Sequence, residues 1–196
     1  MKSIFQYFAF EFIVLIITAV LTCVMRKKHF KIRQRVSLPL IGFISSGLFA
    51  AGWMSDPVWV IRGVIFALIL LYASVQDVTS READDFLWVM MLILAVSNIG
   101  KIPVWSMILG AVAVLLPQLA VVVFAREGAI GGADIKLSTA AAVVLGFAQG
   151  ALGYMLGLFI AVLSTLIYRK VRHKIQNDSI PLVPYLSVGL MIGYMI

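Results

Sequence analysis

A chain of 196 residues that is 62% apolar and only 13% charged cannot hide so much greasy surface in a water-soluble domain of that size, so it belongs in a bilayer. The formal net charge of +7 would suggest nucleic acid in a soluble protein, but here the basic residues crowd into short loops between apolar runs, where they act as topology signals. The single cysteine, Cys23, lies within an apolar run, which excludes a disulfide framework or a thiolate zinc site built within the chain.

One membrane span needs roughly 20 apolar residues. Taken in chain order, the apolar runs predict spans near 4–25, 36–54, 58–76, 86–100, 104–125, 135–148, 150–168 and 180–196. The first run begins at Ile4 with only Lys2 before it and no small-residue cleavage site, so it is expected to stay as a span, with the mature chain starting at or near Met1. The runs 86–100 and 135–148 are short, and their ends are expected to extend beyond the hydrocarbon or to line a polar cavity. With the N-terminus outside, the loops 26–35, 77–85, 126–134 and 169–179, together with Lys136, hold every Lys and Arg except Lys2, Arg62 and Lys101. That asymmetry fixes the expected orientation. No internal repeat or long linker interrupts the chain. The expected architecture is an all-α, polytopic transmembrane bundle of about eight spans, forming one integral-membrane domain over 1–196.

Ionisable residues at membrane depth are expensive and are functional candidates by default. Two of the nine acidic residues stand out. Asp77 directly follows the run IFALILLYASVQ, and Asp134 lies in EGAIGGADIKLS just before the next span. The predicted topology puts both at the cytoplasmic side and at one depth. Two carboxyl groups that can approach each other are what an aspartyl protease requires: the ionised one draws a proton from water while the protonated one polarises the scissile carbonyl. Their proton belongs to the pair, because like charges at close range cannot both ionise. Gly128, Gly131 and Gly132 permit a tight turn and the close approach of a substrate strand.

The segment Gly132-Ala133-Asp134-Ile135-Lys136 resembles the Gly-x-Gly-Asp-x-Lys motif of type IV prepilin peptidases and archaeal preflagellin peptidases, the GxGD-type intramembrane aspartyl proteases. In that family one aspartate ends an upstream helix and the second follows the glycines, which maps onto Asp77 and Asp134. The closing stretch Ile180-Pro181-Leu182-Val183-Pro184-Tyr185 is similar to the Ile-Pro-x-x-Pro-aromatic opening of the family's last helix. The resemblance covers about residues 60 to 196. Ala133 replaces the second motif glycine, and the family's Ile-Pro-Asn after the first aspartate is missing, although Arg81 matches its basic residue.

The resemblance implies an endopeptidase that removes short basic leaders from prepilin-like, membrane-anchored precursors at the cytoplasmic face of the inner membrane. Asp77 and Asp134 would be catalytic; Gly131, Gly132, Lys136 and Arg81 would bind substrate or support the site. Neither metal nor other cofactor is implied, and nucleic acid is not a partner. The family's cytoplasmic Cys-x-x-Cys domain, associated with N-methylation, is replaced here by the basic loop 26–35, which implies a peptidase-only form.

Plainer readings stand beside these. Asp77 taken alone is a solvated helix-end carboxylate or a partner of Arg81, and Asp134 alone suits helix capping. Lys136 is more simply a snorkelling anchor. Glu82, Asp84 and Asp85 either attract a basic leader or cap the next helix. Glu11 and Arg62 suit structural pairing, and the four tryptophans fit an interfacial belt. His29 and His173 lack companions at ligand spacing. From another class, a small transporter or complex subunit would use the two aspartates for cations or protons; a third reading keeps the protease and makes signal-peptide remnants its substrates.

Overall fold

The computed structural model describes residues 57–80, 84–124, 131–172 and 181–196. The expected spans at 4–25 and 36–54, the basic loop 26–35, Glu11, Arg81, Glu82, Gly128 and both histidines lie outside the described residues. Contacts divide the chain into two compact units, 1–67 and 68–196. The described part of the first is the opening of one helix, begun by Pro57, whose fixed φ and missing N–H suit a first helical position.

The described elements are helices, in the order α1 Pro57–Ser80, α2 Phe86–Val96, α3 Val104–Phe124, α4 Gly132–Leu145, α5 Phe147–Arg172 and α6 Val183–Met195. Among the described residues the expectation of an all-α membrane protein is borne out. Three helices are long and apolar enough to cross a membrane, through Val58–Ser80, Val104–Phe124 and Phe147–Ile167; at about 1.5 Å per residue each reaches the thickness of a hydrocarbon core. Large apolar side chains such as Ile93, Val123, Met155 and Phe159 are exposed, as befits surfaces whose solvent is lipid.

Helix boundaries differ from the apolar runs in an informative way. Helix α1 runs one turn beyond the expected 76, because Thr79 and Ser80 return their hydroxyls to the carbonyls of Val75 and Gln76 at 2.8 and 2.9 Å. Asp77 therefore lies inside a helix. Helix α4 begins at Gly132 instead of 135, which brings Asp134 into its first turn. Helix α2 stops at Val96, short of the expected 100: Ser97 bonds back to the Leu94 carbonyl at 2.6 Å, and Asn98 leaves the helix to donate to the Val144 carbonyl at 2.8 Å. Only Gly146 separates α4 from α5. Its φ of +79° suits glycine, and an added Cβ would lie 3.0 Å from Ile102 and Ser106.

Helix α4 is the hub, packed against α2, α3, α5 and α6. Its residues Ser138, Ala140, Ala141 and Ala142 are buried, so its neighbours are protein and its 14 residues need not match a bilayer on their own. Helices α5 and α6 pack through glycine. A Cβ at Gly189 would stand 2.2 Å from the Gly157 nitrogen, and one at Gly193 would stand 2.5 Å from the Gln149 carbonyl oxygen. Small residues permit this approach where lipid offers no hydrophobic drive for association.

Candidate active site

The last turn of α1 and the first turns of α4 and α6 supply the polar groups of one region. Asp77 is buried, at 8% exposure, and its Oδ2 accepts the backbone N–H of Val183 at 3.0 Å. Val183 is the first residue of α6, so the N–H is one that the helix leaves without an internal partner. Pro184 follows at a position where a missing N–H costs nothing. The stretch from Pro181 to Pro184 thus presents a helix N-terminus, with its partial positive charge, to a carboxylate on another helix.

Asp134 is half-buried in the first turn of α4, two residues after Gly132 opens it, with Gly131 as the N-cap. Its carboxyl folds back over Gly131, whose backbone N–H it accepts, in the manner of a capping box. A Cβ on Gly131 would sit 3.2 Å from Oδ2, so glycine here leaves room for the acid. Among the described residues, nothing lies within 4 Å of a Cβ added at Gly132. Burial pushes the Asp134 carboxyl up to about 6, the negative charge of Asp77 adds to that rise, and the Gly131 N–H opposes it. The two aspartates, brought from separate helices, therefore lie within each other's electrostatic reach.

The remaining expected site residues have other partners. Lys136 Nζ pairs with Asp85 Oδ1 at 2.7 Å, both side chains being well exposed. Asp85 also accepts the Trp88 indole N–H at 3.3 Å, and the lysine holds its carboxyl below the usual range. Asp84 is gripped by Gln76, which donates to its carboxylate and accepts its backbone N–H at 3.1 Å. Neither acid caps α2 through its side chain. Among the described residues no three His, Cys, Asp or Glu side chains are grouped as a metal site.

Four polar contacts escaped the sequence reading. Gln76 and Gln118 are buried amides, at 5% and 2% exposure, and a search confined to ionisable residues passes over them. Polar groups deep in apolar runs were their signal. Ser138 and the Val183 N–H had none.

With this geometry in place, comparison supplies the class. Residues 64–169 match the model of the type IV leader peptidase family, a segment that includes both aspartates and the glycines before the second. The chain belongs to the type IV leader peptidase family. It is thus a membrane protease of the leader-peptidase kind, as the motif resemblance implied. Neither curated proteins nor solved structures give a significant match.

Proposed function

We propose that the protein is an intramembrane aspartyl endopeptidase in which Asp77 and Asp134 form the catalytic dyad. The observation that carries this reading is the electrostatic coupling of two carboxyl groups on separate helices, within the segment matched by the leader peptidase family. The Val183 N–H at the head of α6 donates to Asp77, whereas burial and the neighbouring charge raise the Asp134 carboxyl to about 6, so that it holds its proton below that pH. Asp77 accordingly takes a proton from the attacking water. Asp134 donates a hydrogen bond to the scissile carbonyl oxygen and then protonates it as the tetrahedral adduct forms. On collapse the carbonyl re-forms, its proton returns to Asp134, and the proton held by Asp77 passes to the leaving amine. No covalent intermediate, metal or cofactor takes part.

In this reading the whole of 1–196 is one integral-membrane peptidase domain with eight spans, its N-terminus outside and its cleft facing the cytoplasm from the inner membrane. The substrates are prepilin-like precursors with a short basic leader ahead of an apolar helix, cut at the cytoplasmic edge of that helix. The open space beside Gly132 gives an extended substrate strand a place to lie against the first turn of α4. Gly131 makes room for the Asp134 carboxyl, and Arg81 binds substrate or supports the site. N-methyltransferase activity is not part of the reading.

The test is co-expression with a prepilin-like precursor whose processed form is read by gel mobility and by its N-terminal sequence. Cleavage between the leader and the apolar helix supports the proposal; an unprocessed set of such precursors, with the protein inserted, contradicts it.

A further inference from the structure

Gln118 lies deep in α3 at 2% exposure, where an apolar side chain would meet every packing need. An amide there is costly unless its donors and acceptor are all engaged. Its nitrogen donates to the Val114 carbonyl at 3.1 Å and to Ser138 Oγ of α4 at 2.8 Å, and it also hydrogen-bonds Tyr154 of α5. Ser138, itself 1% exposed, donates its hydroxyl in turn to the backbone carbonyl of Asp134 at 2.7 Å. The direction of donation is thus Gln118 to Ser138 to Asp134. A hydroxyl bonded to the carbonyl one turn back tends to bend a helix locally. In α4 that point is the turn bearing Asp134.

We infer that Gln118, acting through Ser138, is a positioning residue for Asp134: it fixes the first turn of α4 against α3 so that the Asp134 carboxyl faces Asp77. The inference rests on the catalytic reading of Asp134 only for its effect on turnover. The N-cap of α4 is a glycine that contributes no side chain, so the contact from α3 adds to a turn otherwise closed only by its own hydrogen bonds. A reacting group must be held to within about 0.5 Å of its productive place, and a directional polar link does this better than apolar packing, which tolerates sliding. Among the described residues the charge that acts on Asp134 is that of Asp77 on α1, while Lys136, two residues further along α4, is paired with Asp85 before α2. Helices α2, α3 and α6 carry no charged residue, and α5 carries its charges only in its last turn.

The experiment follows Asp134 itself. Full-length protein in lipid nanodiscs is treated with dicyclohexylcarbodiimide, which labels protonated carboxyls, and labelling at Asp134 is followed by mass spectrometry against pH. The same preparations are assayed for leader cleavage. Gln118→Leu is close to the native shape and leaves Ser138 its bond to the Asp134 carbonyl, so the variant is expected to insert and fold. The expected result is a labelling midpoint lowered by about one pH unit, as the carboxyl swings away from burial and from Asp77, with kcat down about tenfold and KM held within about twofold. Ser138→Ala reproduces both changes, Gln118→Leu with Ser138→Ala adds nothing further, and Ser138→Thr restores the native midpoint. An unmoved midpoint in Gln118→Leu overturns the inference, whether or not the melting temperature falls. If the midpoint moves as expected while Asp134→Asn still cleaves normally, the positioning stands and the catalytic assignment of Asp134 fails.

Discussion

The carboxylate of Asp77, near the end of α1, accepts the backbone N–H of Val183, the first residue of α6, across 3.0 Å. A helix left without a partner for its first N–H groups is completed by an acid from a different helix. The same contact fastens the final turn of α1 to the start of the last helix. Asp134, by contrast, is completed from within its own turn by the Gly131 N–H. The two acids thus sit in different surroundings, the arrangement that separates a base from an acid in a carboxyl pair.

The Val183 contact predicts a separation between two substitutions at one position. Val183→Pro removes the N–H at a helix position that tolerates proline; Val183→Ala keeps the N–H and loses only side-chain packing. A hydrogen bond to a charged group contributes about 1.5 to 3 kcal/mol. Leader cleavage by Val183→Pro is therefore expected to fall roughly ten- to hundredfold below that of Val183→Ala, measured as kcat/KM at equal levels of inserted protein.

The pH dependence follows from Asp134. Its folded-state value, raised from 3.8 to about 6, means that the proton the mechanism needs is present below about 6 and is lost as pH rises through that value. Cleavage is expected to decline on the alkaline side, with kcat/KM falling as pH rises through about 6. Asp77→Asn removes one of the two causes of the rise, so the Asp134 midpoint in that variant should move down toward the usual carboxylate range, as carbodiimide labelling against pH would read.

Lys136 gives a prediction that separates two roles. Its ion pair with Asp85 is exposed, so salt screens it and it adds little to stability. Lys136→Gln and Asp85→Asn are expected to melt close to the wild type, and any difference should vanish at high salt. The alkaline limb of the pH profile should stay in place in both variants. A shifted limb in Lys136→Gln alone would mean that the lysine acts on Asp134 instead of on the loop.

What the sequence disclosed, and what it withheld, follows from the range of the interactions. The apolar runs marked α1, α3 and α5 because span length is a local property, and the Gly131 to Lys136 segment marked Asp134 because the motif is contiguous. The ends of α1 and α4 were misplaced by about a turn. Hydropathy falls at Asp77 and at Asp134, but the backbone continues as helix through both, held by hydroxyl back-bonding at Thr79 and Ser80 and by the Gly131 cap. The glycine contacts of α5 with α6, the Gln118 to Ser138 link and the Val183 N–H were hidden because each joins residues far apart in the chain. Lys136 and Asp85 were each noticed alone, yet nothing in their spacing announced that they pair.

The most direct measurement is leader cleavage by Asp77→Asn and by Asp134→Asn, each inserted at the wild-type level, with a prepilin-like precursor in lipid. The dyad predicts that either substitution alone lowers kcat at least about a thousandfold and that the double variant is no slower than the worse single one. Cleavage by either variant at the wild-type rate would contradict the account and make that aspartate a structural cap.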